Sequence, residues 1–188
     1  MQRNATQCLA ARPYGISLVE LLITLVITTI VLGIGLPAYI SLGAHNQQTA
    51  EINRFITHLQ LARSCAVKTG NNHILCPSND MISCRENTHW EDGYILFEDN
   101  NQDGVRDKHE SLVQISRPTR QIGIDMRSTE DRKRVIYRAD GHSAGSNLTL
   151  TFCDPEQRIP PKAVILSNAG RPRVATIRWD GTPLTCDD

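Results

Sequence analysis

The sequence predicts an α+β protein in which one long N-terminal helix packs its second half against antiparallel β-sheet. Three observations predict this fold class. Residues 16–36 form an almost unbroken apolar run, apolar side chains then recur at steps of three and four residues as far as Ala66, and the rest of the chain divides into short apolar segments separated by turn sequences. Acidic and basic residues balance at 20 each, so net charge by itself indicates no partner.

The N-terminus has the layout of an exported or membrane-anchored protein. Residues 1–15 contain Arg3 and Arg12 but no acidic residue, and the apolar run after them is long enough to cross a hydrocarbon core of about 30 Å at about 1.5 Å per residue. Positive charge before the run favours a cytoplasmic N-terminus, with the polar remainder beyond the inner membrane. An ordinary secretory signal has a shorter apolar core, of about 7–15 residues, followed by its cleavage site. One interpretation is therefore an uncleaved single-span anchor.

Glu20 is difficult to explain in a simple anchor, because a carboxylate in lipid costs about 2.5–3.5 kcal/mol on insertion scales. Its surroundings, "YGISLVELLITLVI", resemble the prepilin signature of type IV pilins and type II secretion pseudopilins. The resemblance implies the type IV pilin-like form of the predicted fold. It also implies that a prepilin peptidase removes residues 1–15 by cutting after Gly15 and then N-methylates Ile16. In the family that first residue is usually Phe.

The resemblance also gives Glu20 a physical role in assembly with other pilin subunits. Cleavage creates a positive α-amine at Ile16, one helical turn from Glu20, and unpaired charges in lipid are costly. In a filament, Glu20 of one subunit would meet the amine of a neighbour, which sets the axial register. Gly33, Gly35 and Pro37 weaken the helix, since proline removes a backbone donor and clashes with the preceding turn. We expect a kink or a melted segment there once subunits pack.

The helix is predicted to continue through residues 37–70, where an apolar stripe follows one helix face. The stripe consists of Ile52, Phe55, Ile56, Leu59, Ala62 and Ala66. Gly70 is the predicted C-terminal cap. Residues 71–188 form a predicted β-rich domain outside the membrane. Its predicted strands are 73–76, 94–98, 112–116, 121–126, 133–137, 148–152, 162–167 and 173–179.

Six cysteines are present, of which Cys8 lies in the leader. The other five fall in the exported part of the chain, where disulfides persist. Cys76 and Cys84 flank a polar loop and are predicted to bridge, which stabilises by roughly 2.5 kcal/mol in the chain-entropy model. Cys153 and Cys186 are the second predicted pair, worth roughly 4 kcal/mol because the loop is longer.

This pairing leaves Cys65 as a free thiol, predicted to be buried in the helix. The spacing alone does not fix the connectivity, and a zinc site is the alternative. That site would use His73, Cys76, Cys84 and His89. These spacings fit no common zinc pattern.

The sequence gives no case for an enzyme. It contains no G-x-S-x-G, no H-E-x-x-H and no phosphate-binding G-x-x-x-x-G-K-[ST]. The six histidines are scattered along the chain, which is typical of surface or structural residues rather than of catalytic bases. We therefore expect a protein without catalytic residues.

One motif indicates a candidate cofactor, calcium. "DNNQDGVRDKHE", residues 99–110, fits the calcium-loop pattern D-x-[DN]-x-[DN]-G-x5-E. The candidate ligands are the side chains of Asp99, Asn101, Asp103 and Glu110 and the carbonyl of Val105. The alternative is a hairpin tip rich in turn-forming residues, since predicted strands rather than helices flank the loop and Glu110 would then point away.

Charge is segregated towards the C-terminus. Residues 157–179 contain no acid, and their positive charges come from Arg158, Lys162, Arg171, Arg173 and Arg178. The segment "SNAGRPRVATIRW" within this stretch resembles the C-terminal part of the FimT/GspH family of minor pilins and pseudopilins. "DGYILFEDNNQDG" and "LTLTFCD" support the resemblance.

The resemblance leaves two functions open. The FimT branch, which we favour, carries a G-R-x-R element implicated in binding DNA for natural transformation, and here that element is residues 170–173. Arg171 and Arg173 with Gly170 would then contact double-stranded DNA, and Arg178 and Lys162 would widen the basic patch. The other branches prime the assembly of pili or secretion pseudopili without DNA. Arginines at a sheet edge also discourage unwanted strand pairing.

Overall fold

The computed structural model describes residues 15–118, 123–143, 145–178 and 181–186. The predicted leader, apart from Gly15, lies outside these residues, as does Cys8. The protein consists of two compact units, each with many contacts within itself. The first ends at Ile40 and the second begins at Ser41.

The helix α1 occupies Leu18–Thr69. Its first turn is capped by Ser17, whose Oγ accepts a hydrogen bond from the Glu20 N–H at 3.2 Å. It ends at Gly70, which has φ +76° and donates its N–H to the Ala66 carbonyl at 3.0 Å. A left-handed residue is most easily supplied by glycine, so the predicted cap is confirmed.

The N-terminal part of α1 is apolar and exposed, with a mean hydropathy of 2.4 over an 18-residue window. By length and composition it is able to cross a membrane. In the isolated chain the helix continues without interruption through Pro37. The predicted kink concerns packed subunits and therefore stays a prediction.

In the part of the chain that the structure describes, eight strands follow the helix and form two antiparallel sheets. The first sheet has the order β3-β2-β1-β5 and the second the order β4-β6-β7-β8. The strands are β1 Asn72–Pro77, β2 Tyr94–Asp99, β3 Leu112–Ser116, β4 Asp125–Ser128, β5 Val135–Tyr137, β6 Leu148–Cys153, β7 Lys162–Leu166 and β8 Pro172–Ala175. The predicted α+β class is confirmed.

Three predicted strands differ clearly from the structure. The strand predicted at 133–137 begins only at Val135. The strand predicted at 121–126 lies partly outside the described residues, and β4 extends to Ser128. The strand predicted at 173–179 is wrong for residues 176–178, where only an isolated bridge joins Ile177 to Pro183, and position 179 lies outside the described residues. Ala175 pairs with Ala163, and only Lys162 of β7 remains beyond it before Pro161 and Pro160. Proline has no N–H for a sheet ladder, so β7 ends there and β8 loses its partner.

The core lies between the second half of α1 and the sheets. The predicted stripe is buried along its length, except that Ile56 is half-buried. The ring of Phe55 meets the rings of Trp90 and Tyr94 at centroid distances of 5.5 Å, and that of Phe152 at 6.2 Å. Because Tyr94 belongs to the first sheet and Phe152 to the second, Phe55 joins the two sheets across one helix face.

Both predicted disulfides are present, Cys76–Cys84 and Cys153–Cys186. Cys76 and Cys84 also belong to a small apolar cluster on the other face of the first sheet. The zinc alternative is wrong, because two of its four ligands are consumed as a disulfide. Cys65 is a free thiol as predicted, but it is half-buried rather than buried.

Candidate nucleic-acid interface

The candidate interface is built on the β7–β8 hairpin at one edge of the second sheet. Residues 167–171 close the hairpin, where the Gly170 N–H donates to the Ser167 carbonyl at 2.8 Å and the Ser167 N–H donates to the Arg171 carbonyl at 3.3 Å. Pro172 is the first residue of β8. A proline is tolerated there because an edge strand needs fewer ladder donors.

Strand register decides which side chains share a face. Arg173 pairs with Ile165, while the next residue of β7, Leu166, belongs to the core beneath the helix. Successive side chains of a strand point to opposite faces, so Arg173 lies on the outer face of the sheet. Arg171 and Arg173 are both exposed, and neither has an acidic partner among the residues that the structure describes.

A shallow groove of about 390 Å³ follows the same outer face beside the hairpin. Its lining includes Arg132, Thr149, Ile165, Ser167 and Asn168. The Arg132 Nη1 donates to the Gly145 carbonyl at 3.3 Å, and these two residues also line a second hollow together with Glu86, Glu130 and Asp131. Arg132 was not predicted from the sequence, although it belongs to the basic run "RKR" at 132–134.

Arg178 lies beside this groove, as the basic-patch prediction requires. It lines a neighbouring hollow together with Thr149, and Thr149 also lines the groove. The Arg178 Nη2 donates to Thr185 Oγ1 at 2.9 Å. The same hollow contains Arg127, whose charge is paired with the buried Glu91 at 3.0 Å.

Lys162 is not part of this surface, which corrects the expectation that it would widen the patch. It pairs with Phe152, whose ring is in the core, and it shares a face of β7 with Val164, two residues further along, which is also in the core. By the same strand alternation it lies on the face opposite Arg173. Arg158 is unavailable for a different reason, since it donates to both oxygens of Asp154 at 2.7 and 2.8 Å. Those hydrogen bonds hold the pKa of Asp154 below its usual range.

Gly170 serves the packing of the hairpin. It has φ +71°, and a Cβ on it would come within 2.4 Å of the Gly141 carbonyl oxygen and 2.9 Å of the Tyr137 ring. Its own carbonyl accepts hydrogen bonds from Tyr137 Oη at 3.2 Å and Arg63 Nη1 at 3.3 Å. These contacts explain why a glycine precedes the two arginines.

Replacing Gly170 with alanine should therefore lower the free energy of unfolding by at least about 2 kcal/mol, because backbone strain and steric overlap add. The measurement is thermal unfolding of the full chain in nonionic detergent. Gly145→Ala is the matched control, since Gly145 has φ +82° but a Cβ added to it would meet no atom within 4 Å. An equal loss of stability in both variants would contradict the packing role.

The residues predicted for processing and assembly lie at the other end of the chain. Gly15 and Ile16 precede α1 and are exposed, and Glu20 lies in the first turn of the helix. The candidate calcium loop, residues 99–110, connects β2 to β3.

The comparisons with known proteins identify the class. The family model described as "Type II transport protein GspH" matches residues 51–181, which is more than half of the chain. The protein therefore belongs to the GspH family of minor pilins and pseudopilins, which are not enzymes. Its apolar N-terminal helix fits membrane anchoring, and membership of the family implies assembly with other pilin subunits.

The chain is also similar to solved structures of minor pilins and pseudopilins. The type IV minor pilin FimU of Pseudomonas aeruginosa is 16% identical with a TM-score of 0.54, over 70% of this chain and 90% of that one. The minor pseudopilin EpsH of the Vibrio cholerae type 2 secretion system is 13% identical with a TM-score of 0.44, over 69% and 96%. The FimU likeness confirms the type IV pilin-like fold. Curated proteins give no match.

Proposed function

We propose that this chain is a FimT-like minor pilin that enters a type IV pilus and binds double-stranded DNA without sequence preference, for uptake in natural transformation. One observation carries the proposal. Arg171 and Arg173 are exposed at the same edge of the second sheet, without acidic partners among the described residues, beside a groove that Arg132 also lines.

The chemistry of this surface suits a phosphate backbone. Guanidinium groups are planar and always charged, and they bind phosphate oxygens in two-pronged geometry. Ser167 and Asn168 add a hydroxyl and an amide to the groove. Aromatic residues make up only 5% of the chain, so few side chains are available to stack on nucleobases. These features favour backbone contacts, which are independent of sequence.

The same proposal includes a route to the pilus. A prepilin peptidase cuts after Gly15 and N-methylates Ile16. Before assembly, the processed subunit stays in the inner membrane with its β-rich domain in the periplasm. Glu20 then pairs with the α-amine of a neighbouring subunit as the filament grows.

A second candidate is a structural subunit that primes assembly without binding DNA. The free edge of β8 favours it, because β8 has one strand partner in the second sheet and its Val174 side chain is 49% exposed. Such an edge is suited to contact with another subunit.

Changing Arg171 and Arg173 together to glutamine should weaken DNA binding equally for all sequences. Each phosphate contact contributes about −0.9 to the slope of log K against log salt for duplex DNA, so the slope should flatten by roughly two units. The measurement is fluorescence anisotropy with labelled duplexes of several sequences and the full chain in nonionic detergent, at salt concentrations from about 50 to 200 mM.

Lys108→Gln combined with Arg117→Gln is the matched control, because it removes two exposed positive charges from the other sheet's side of the chain. This control should keep the parental slope. If the parent shows no salt-sensitive binding, or if the Arg171 and Arg173 variant binds as the control does, the structural candidate replaces the DNA-binding one.

A further inference from the structure

We propose that the β2–β3 loop, residues 99–110, is a calcium site. The site is independent of the basic surface, because it connects two strands of the other sheet. Its donors would be oxygen atoms of Asp99, Asn101, Asp103 and Glu110 and the carbonyl of Val105.

The observation that points to a cation is the side chain of Asp99. This residue is only 2% exposed, and its Oδ1 is buried without a hydrogen-bond partner. Its other oxygen, Oδ2, accepts the Gly104 N–H at 3.2 Å, so the carboxylate is directed into the loop. A buried carboxylate oxygen without a partner is costly, and a bound cation would supply the missing one.

Glu110, at the far end of the loop, also points inwards. Its Oε1 accepts the Asn100 N–H at 2.9 Å and its Oε2 accepts the Asp107 N–H at 3.0 Å. The residue is 6% exposed. These bonds fold the Glu110 carboxylate back over the loop backbone, whereas the hairpin alternative has it point away from the other candidate ligands.

The middle of the loop presents the remaining donors. Asp103 Oδ1 accepts the Val105 N–H at 2.7 Å, while Asp103 Oδ2 accepts from the Asn101 amide at 2.9 Å. Gly104 has φ +76°, which permits the sharp turn between them. Calcium would take the place of the Asn101 amide on Asp103 and would draw the Asn101 oxygen to itself.

Calcium is the ion that this donor set favours. The donors are all oxygens, from carboxylates, an amide and a backbone carbonyl, which suits a hard cation held in flexible geometry. Among the described residues, no three His, Cys, Asp or Glu side chains already surround one point. The ion would therefore complete a partly formed loop, and would depend on the amide and carbonyl donors as well as on the carboxylates.

Three arginines lie in or beside the loop. Arg106 belongs to it and donates its Nη2 to the Glu110 carbonyl at 3.4 Å, while Arg134 and Arg138 line a hollow together with Asp99 and Asp103. The Arg134 Nη1 donates to the Gly104 carbonyl at 2.7 Å. Arg134 is also paired with Glu86, which offsets part of its charge. Calcium would therefore bind beside these guanidinium groups, and its double charge would have to compete with them for the loop carboxylates.

The test is thermal unfolding of the full chain in nonionic detergent, first with EDTA and then with calcium chloride or magnesium chloride at about 10 mM. Calcium sites of extracellular modules have a Kd of about 10⁻⁴–10⁻³ M, so calcium should raise Tm by roughly 3–10 °C. Magnesium should raise it less. Asp103→Asn removes one charge but keeps an oxygen for the Val105 N–H, so it should fold normally in EDTA and lose most of the calcium shift.

Asp131→Asn is the control, because it makes the same chemical change at a position outside the loop. It should keep the full shift. Glu110→Gln is a second loop variant and should also lose the shift. The proposal is overturned if the parent shows no calcium shift, if magnesium matches calcium, or if both loop variants respond as Asp131→Asn does.

Discussion

Replacing Glu20 with alanine should remove most of the protein from sheared filaments while leaving membrane insertion and leader cleavage intact. The physical reason is charge pairing in a medium of low dielectric constant. The α-amine of Ile16 in one subunit would face no carboxylate, and an unpaired charge there costs several kcal/mol. The apolar helix around Glu20 is unchanged, so its insertion into the membrane should be unaffected.

The measurement is the fraction of the chain found in sheared filaments relative to the membrane fraction, by immunoblot. Glu20→Asp is the conservative variant and should retain part of the incorporation, because it keeps the charge on a shorter side chain. Gly15→Ala separates processing from assembly, since it should leave a longer precursor that still contains Met1 by intact mass. Normal incorporation of Glu20→Ala would show that the carboxylate is not an assembly device.

Replacing Phe55 with alanine should lower the free energy of unfolding by about 3–5 kcal/mol, the range for truncating a buried aromatic residue. The side chain is fully buried and makes edge-to-face contacts with Trp90, Tyr94 and Phe152. Its removal leaves a cavity where α1 and both sheets meet. The loss should therefore weaken the packing of both sheets on the helix.

Thermal and urea unfolding, followed by circular dichroism and tryptophan fluorescence, would measure the change. Phe55→Leu refills most of the volume and should cost clearly less. Val67→Ala is the control on the same helix, because Val67 is 56% exposed and should change stability by less than about 0.5 kcal/mol. A loss below about 1 kcal/mol in Phe55→Ala would mean that the sheets are held together elsewhere.

Much of the fold was predictable because it is locally encoded. The stripe that begins at Ile52 has helical spacing, and Gly70 ends the helix because its φ of +76° favours a residue without a Cβ. The two disulfides were predicted because Cys76 and Cys84 flank one short loop, which left Cys153 and Cys186 near the last strands. Each of these inferences depends on residues that are close in the chain or on composition.

The candidate surface was predictable only in part. The basic bias of residues 157–179 identified Arg171 and Arg173, and both are exposed as the proposal needs. The same bias included Lys162 and missed Arg132. The charge of a sequence segment does not determine on which face of a sheet each side chain lies. The inward turn of Glu110 was also missed, since it depends on backbone N–H groups several residues away.

The sequence by itself thus predicted the apolar N-terminal segment, the helix with its buried stripe and the approximate positions of most strands along the chain. It also suggested the cysteine pairs, although spacing alone left their connectivity open. Tertiary structure alone decided where β8 ends, which side of the second sheet Arg173 occupies, and that Arg132 lines a groove beside the β7–β8 hairpin. The physical reason is strand register. A shift of one residue in the β7–β8 pairing moves every side chain to the opposite face, and the register is set by the turn at Gly170 and by the burial of Val164 and Leu166.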